Sequence, residues 1–127
     1  MQEVERRLLE KMFTAAVHAA TPAVCLPPNL PNPPRKKTYV IGAGKAAAAM
    51  AKTLEECWNK PLDGLVVTRY GHGASTNKIK VSEANHPIPD QAGINATTEI
   101  LRIAKKLTKD DLAICLISGG GSSLLTL

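Results

Sequence analysis

Two glycine-rich turns, each directly after an apolar run, constrain the fold of this chain more than any other feature. The first run and its turn read YVIGAGKAAA from Tyr39 to Ala48, and the second pair reads LAICLISGGGSSL from Leu112 to Leu124. An apolar run that ends in glycines before a helix-forming segment is typical of a strand-to-helix connection in an α/β protein. Both turns offer backbone N–H groups at a predicted helix start, so both indicate a site for phosphate or another anion.

The hydrophobic pattern divides the chain into three parts. Residues 1–20 are a predicted amphipathic helix, because apolar residues recur at helical spacing from Val4 to Ala19. Residues 21–37 are a proline-rich connector that we expect to be extended, since proline does not continue a helix. Residues 38–127 alternate between strand-like and helix-like patterns.

This alternation predicts the fold class. We expect strands at 38–42, 65–69, 79–83 and 112–117, and helices at about 45–57 and 91–107. Short apolar strands that alternate with helices indicate an α/β domain with a mostly parallel, Rossmann-like sheet and helices on both faces. In such a sheet the turns that follow the strands meet at one edge, so we expect the two glycine turns to share a site.

Composition and charge exclude several classes of protein. The chain has 127 residues, a net charge of +5 and only 3% aromatic residues. Basic residues that are spread out without stacking aromatics do not indicate a nucleic-acid surface. No apolar run approaches the ~20 residues that span a bilayer, and the charged N-terminus lacks the apolar region of a signal peptide. We therefore expect a cytoplasmic protein with neither a nucleic-acid nor a membrane partner.

The first turn contains Gly42-x-Gly44-x-x-Ala47, which has the spacing of a dinucleotide-binding fingerprint. The second strand ends in Arg69 rather than in the acidic residue that binds the ribose of NAD, so NADP stays open while NAD is disfavoured. Lys45 places an ammonium at the positive end of the next helix, which is unfavourable unless an anion is bound nearby. The alternative is a surface lysine, with two glycines that serve tight packing alone.

The second turn consists of Ser118, Gly119, Gly120, Gly121, Ser122 and Ser123. Three successive glycines allow a concave backbone that points several N–H groups at one anion, and a serine hydroxyl can cap the next helix or donate to the ligand. A flexible connector is the alternative. The pattern is not that of a serine hydrolase, because Leu124 stands where the nucleophile elbow around Ser122 requires glycine.

Two histidines lie in polar loops that follow predicted strands. His72 follows the second strand and His86 follows the third, so both can reach the edge of the sheet that carries the glycine turns. Each is a candidate substrate contact or proton-transfer group, with an ordinary surface residue as the alternative. Asp90 is the predicted N-cap of the next helix. No spacing of His, Cys, Asp or Glu indicates a metal site.

Four segments in this order, VIGAGKAAAAMA, LVVTRYGH, EANHPIPDQAG and LISGGGSSLL, resemble the N-terminal part of the MOFRL-type glycerate 2-kinases. Some members of that family carry the older label hydroxypyruvate reductase. The ordered set is more specific than any one segment, and the resemblance covers about residues 1–127. It implies ATP-dependent phosphorylation of D-glycerate to 2-phosphoglycerate with Mg²⁺. It further implies a catalytic role for Lys45 and places Ser118–Ser122 at the border of the cleft.

The resemblance also bears on completeness. Members of that family are roughly three times as long, with a second α/β domain that closes over the first. It therefore implies an N-terminal fragment, inactive by itself, that lacks a C-terminal domain. Exposed apolar surface then makes a homo-oligomer one expected consequence. Two alternatives stay open, an NADP-dependent hydroxypyruvate reductase and a non-catalytic anion-binding fragment, and so does the division of ATP and glycerate between the two turns.

Overall fold

The computed structural model describes residues 2–127, which form four strands and five α-helices. The strands are β1 Thr38–Ala43, β2 Leu62–Arg69, β3 Ile79–Ala84 and β4 Leu112–Ile117. The helices are α1 Glu3–Ala19, α2 Pro22–Cys25, α3 Ala47–Cys57, α4 Gln91–Ala104 and α5 Gly121–Leu124. The strands form one sheet in the order β3-β2-β1-β4, and every neighbouring pair is parallel. The predicted parallel sheet is confirmed.

Apolar side chains project from both faces of the sheet, and helices cover both faces. Helix α3 packs on one face, where Leu54 and Val66 are fully buried. Helices α4 and α5 pack on the other face, around Leu65 and Leu124. The prediction of helices on both faces is therefore confirmed. Among residues 2–127, no helix is long and apolar enough to cross a membrane.

The strand register brings the two glycine turns together. Strand β1 lies between β2 and β4, with Gly42 opposite Val66 on one side and Leu116 on the other. Parallel strands end at the same edge of a sheet, so the turns after β1 and β4 and the loops after β2 and β3 all emerge there. The predicted shared edge is confirmed.

Element boundaries differ from the predictions in places that have a local cause. Strand β2 begins at Leu62, earlier than predicted, although Asp63-Gly64 is a sequence typical of turns. Gly64 continues the strand with a φ of 155°, and a Cβ there would overlap the carbonyl oxygen of Val40. Helix α3 begins later, at Ala47, and α4 ends earlier, at Ala104.

The proline-rich connector is not extended throughout, so that part of the prediction is wrong. Pro22–Cys25 form the single-turn helix α2, and Pro27–Asn29 form a 3₁₀ turn. Proline is accepted at the first helical position because its missing N–H has no intrahelical partner there. Leu26 and Leu30 pack against the core beneath α3, which anchors the connector to the domain.

Helix α1 is amphipathic as predicted, yet none of its residues is buried. Its apolar side chains Val4 and Phe13 are 77% and 71% exposed. Helix α1 thus adds little to the core and leaves its apolar face exposed. The homo-oligomer itself stays a prediction.

We expect Leu54→Ala to lower the free energy of unfolding by about 2–5 kcal/mol, because it leaves a cavity beneath α3. Leu8→Ala removes the same atoms from a side chain of α1 that is 57% exposed, and should change that free energy by no more than about 0.5 kcal/mol. Urea unfolding followed by circular dichroism measures both. Equal losses in the two variants would contradict the separation of α1 from the core.

Candidate functional site

The two glycine turns are hydrogen-bonded to each other. The Lys45 amide donates to the Gly119 carbonyl at 2.9 Å, and the Ala46 amide donates to the Ser118 hydroxyl oxygen at 2.9 Å. These amides lie in the turn that leads into α3, which the sequence pattern assigns to an anion. Because both are engaged within the protein, the prediction that the first turn offers free N–H groups is wrong. What this turn presents to a ligand is the exposed side chain of Lys45.

Close packing requires glycine at positions 42 and 44. Gly42 lies against strand β4, and Gly44 lies against the turn that follows β4. A Cβ on Gly42 would overlap the carbonyl oxygen of Leu116, and a Cβ on Gly44 would overlap Ser118. Gly44 has a φ of 133°, which side chains disfavour, and its amide donates to the Val67 carbonyl at 3.1 Å. Ser118 therefore occupies the space directly beside Gly44, the glycine at which a dinucleotide fingerprint brings the backbone close to the pyrophosphate. The amide of Gly44 is therefore not free to bind a phosphate, and the predicted phosphate contact of the two glycines stays without support at this position.

The second turn keeps its backbone open. Within residues 2–127, the amides of Gly119, Gly120 and Gly121 donate to no protein acceptor. Gly120 has a left-handed φ of 87°, and its carbonyl accepts from the Ser123 hydroxyl at 3.2 Å, which holds the turn in shape. Ser122 is exposed. Successive free N–H groups in such a turn form a concave surface for an anion.

Lys45 and His86 meet at Gly120. The position of a Cβ on Gly120 lies 2.8 Å from His86 Nε2 and 3.4 Å from Lys45 Cε. Each residue follows a different strand. Gly120 follows β4, His86 follows β3 and Lys45 follows β1. Since Gly120 has no side chain, an ammonium stem and an imidazole can share one face of the turn. We call Lys45, His86 and residues 119–121 the edge site.

Asp90 fixes the loop that carries His86. One carboxylate oxygen caps α4, as predicted, by accepting from the Gly93 amide at 3.1 Å, and the other accepts from the Tyr70 hydroxyl at 2.8 Å. Desolvation opposes ionisation of this carboxyl, but donation from the Asn85 amide and the Tyr70 hydroxyl outweighs it and holds the pKa of Asp90 below its ordinary value. The ionised carboxylate therefore ties the start of α4 to the loop after β2.

His72 is not brought into the edge site. It is exposed on the loop after β2, and within residues 2–127 no hydrogen bond reaches its imidazole. That loop is held by Glu83, whose carboxylate accepts from the Gly71 amide at 2.8 Å. Sequence reasoning missed the contacts of Tyr70 and Glu83. The available signal was their position at the ends of two successive parallel strands, which meet at one edge.

Residues 2–127 contain no group of three or more His, Cys, Asp or Glu side chains that could hold a metal ion. Enzymes that use Mg²⁺ with phosphate substrates bind it by one or two carboxylates together with the phosphates. Asp90 and Glu83 are the carboxylates beside the loop of His86, and their oxygens accept from Tyr70, Gly93 and Gly71. The described residues do not by themselves fit a Mg²⁺ site.

A parallel α/β domain with a cation, an imidazole and an open glycine turn at the carboxyl ends of its strands has the arrangement of proteins that bind anionic ligands at that edge. A protein family described as "Domain of unknown function (DUF4147)" matches residues 8–127. The chain belongs to this family.

Named relatives connect the family to glycerate chemistry. A "Putative hydroxypyruvate reductase" of Agrobacterium vitis is 47% identical over 121 residues, which are 94% of this chain and 28% of that protein. The D-glycerate 2-kinase of Thermotoga maritima is 33% identical over 124 residues, which are 96% of this chain and 30% of that protein. The resemblance inferred from the four segments is confirmed.

A solved structure shows the same fold. The crystal structure of a glycerate kinase from Thermotoga maritima matches with a TM-score of 0.82 and 33% identity, covering 97% of this chain and 30% of that chain. The chain spans less than a third of the length of these relatives.

We expect Asp90→Ala to lower the melting temperature by several degrees near pH 7, since it removes the cap of α4 and the acceptor for Tyr70. Because the pKa of Asp90 is lowered in the folded state, its stabilisation is full above the unfolded-state pKa of about 3.9 and is lost as pH falls through the lower folded-state value. The difference in melting temperature between the variant and the unchanged protein should therefore become smaller at acidic pH. Thermal melts at neutral and acidic pH measure it, with exposed Glu10→Ala as the control. An equal deficit at both pH values would contradict the role of the ionised carboxylate.

Proposed function

We propose that this chain is the N-terminal part of a glycerate 2-kinase, which transfers the γ-phosphoryl group of ATP to the 2-hydroxyl of D-glycerate. The observation that carries the proposal is the convergence of Lys45 with the open amides of residues 119–121 around Gly120. Relatives named glycerate 2-kinase support the reaction type.

Phosphoryl transfer requires mainly positioning and positive charge near the transferring group. The Lys45 amide is hydrogen-bonded to Gly119, so the side chain extends from a fixed backbone position beside the amides of residues 119–121. In this proposal the ammonium stabilises the charge that develops on the phosphoryl group. The amides, together with the exposed Ser122 hydroxyl, bind an anionic oxygen of ATP or of glycerate. The edge site as a whole is assigned to anions, without a division of the two ligands.

Turnover, in this proposal, needs protein outside these residues. The chain matches less than a third of the length of its relatives, and Lys45 is exposed on the described edge. Further residues would also supply ligands for the Mg²⁺ that accompanies ATP.

An NADP-dependent reductase is the second candidate, because one relative carries the name "Putative hydroxypyruvate reductase". Arg69 at the end of β2 would meet the 2′-phosphate of the cofactor. However, Ser118 fills the space beside Gly44, and the amides of Lys45 and Ala46 are already engaged. The fingerprint turn thus has no place for a pyrophosphate, which favours the kinase.

Titration calorimetry of the chain with D-glycerate, MgATP and NADPH in turn tests the proposal. We expect D-glycerate or MgATP to bind and NADPH not to bind. Lys45→Ala should weaken the binding about tenfold or more, since a hydrogen bond to a charged group contributes about 1.5–3 kcal/mol. The matched control is Lys52→Ala, which removes another exposed lysine from α3 and should leave binding unchanged.

The outcomes separate the candidates. Anion binding that Lys45→Ala leaves unaltered would overturn the proposal, and NADPH binding that Arg69→Ala weakens would favour the reductase. In an ADP-release assay of the longer protein, a fall of about 100-fold in kcat for Lys45→Ala at saturating substrates assigns the lysine to the transition state, whereas a rise in KM alone assigns it to ground-state binding. Anion binding by the chain without turnover in the longer protein would leave the edge site as an anion-binding site alone.

A further inference from the structure

His86 is the titratable side chain at the edge site to which the reaction above gives no role. It is half-buried, and its Nε2 atom faces Gly120. Within residues 2–127, no hydrogen bond to its imidazole is found. A ring nitrogen in this position is free to accept or donate a proton.

Among the groups around His86, the others are donors or carboxylates that already accept hydrogen bonds, so His86 is the available proton acceptor of the edge site. Lys45 from the turn after β1 is a donor only. Asp90 at the start of α4 and Glu83 at the end of β3 have carboxylates that already accept from backbone amides, and Tyr70 from the loop after β2 donates to Asp90. An imidazole is also the side chain whose ordinary titration range lies near neutral pH.

The two functional groups of a 2-hydroxy acid suit the arrangement of Lys45 and His86 around Gly120. Its hydroxyl is on the carbon next to the carboxylate, so a site that holds the carboxylate also holds the hydroxyl close by. Lys45 Cε and His86 Nε2 both lie within 3.4 Å of one point above Gly120. A carboxylate held by the amides of residues 119–121, beside the Lys45 ammonium, therefore brings the 2-hydroxyl within reach of the imidazole.

We propose that His86 is a catalytic residue whose Nε2 accepts the proton of the substrate's 2-hydroxyl; this inference rests on the proposed function. The hydroxyl O–H bond breaks and its proton moves to Nε2, while the oxygen forms a bond to the γ-phosphorus of the nucleoside triphosphate. The bond from that phosphorus to the bridging oxygen breaks, and its electron pair leaves on the nucleoside diphosphate. The imidazolium then returns the proton to water.

A ligand without the 2-hydroxyl tests the inference. 3-Hydroxypropionate has the same carboxylate as D-glycerate and lacks that hydroxyl. By calorimetry we expect the chain to bind D-glycerate about three- to tenfold more tightly, the effect of one hydrogen bond. His86→Ala should abolish the preference, and His86→Gln should retain part of it, because a carboxamide accepts a hydrogen bond but takes no proton. His72→Ala is the matched control and should keep the full preference.

A second measurement reports the proton itself. The chain has three histidines, so the imidazole signals of the ¹⁵N-labelled protein are few, and those of His86 are identified by their loss in His86→Ala. Near neutral pH we expect Nε2 of His86 to carry no proton when D-glycerate is bound. A protonated Nε2 in that complex would make His86 a hydrogen-bond donor to the ligand and overturn its role as the base.

Failure of the inference is distinct from failure of the proposed function. If D-glycerate binds in a Lys45-dependent way but is not preferred over 3-hydroxypropionate, or if the preference survives in His86→Ala, the inference is overturned and the proposed function stands. If neither D-glycerate nor MgATP binds, the proposed function fails and the inference fails with it.

Discussion

The edge site depends on the two hydrogen bonds by which the turn after β4 closes onto the start of α3. Helix starts leave their first N–H groups without intrahelical partners. Here the Ser118 hydroxyl accepts from the amide of Ala46, the N-cap of α3, and the Gly119 carbonyl accepts from the preceding amide of Lys45. This contact requires a residue without a side chain at Gly44, because Ser118 occupies that space. The spacing between the two turns is thereby fixed, and the side chain of Lys45 emerges beside Gly120.

This closure gives two similar-looking turns different chemistry. The first turn uses its amides inside the protein and presents a cationic side chain. The second keeps the amides of residues 119–121 open and presents no charge of its own. A dinucleotide fingerprint depends on free amides and open space at the first turn, and both are taken here. In the proposed function, the ligand is therefore bound by a side-chain cation from one turn and by backbone dipoles from the other.

The parallel sheet, both helical faces and the Asp90 cap could be predicted because each follows from a local pattern. Apolar periodicity and a capping residue are properties of neighbouring positions. The engagement of Ala46 by Ser118 joins residues 72 positions apart, and the approach of His86 to Gly120 likewise joins two strand ends. Such contacts depend on side-chain and turn geometry that periodicity does not encode. The helix at Pro22 escaped prediction for another reason, since proline is accepted at a helix start.

Solvent exposure decides how much the charge of Lys45 can do. Two unit charges about 4 Å apart attract by about 1 kcal/mol in water and by about 4 kcal/mol at an effective dielectric constant of 20. A rate increase of 100-fold requires about 2.7 kcal/mol, which is more than the attraction in water and less than the attraction at the lower dielectric constant. The longer relatives carry additional protein, and apolar surface such as Ile117 of β4, 59% exposed, is of the kind against which protein packs. We infer that anion binding requires only the residues of the edge site, whereas acceleration of phosphoryl transfer requires water to be excluded from it.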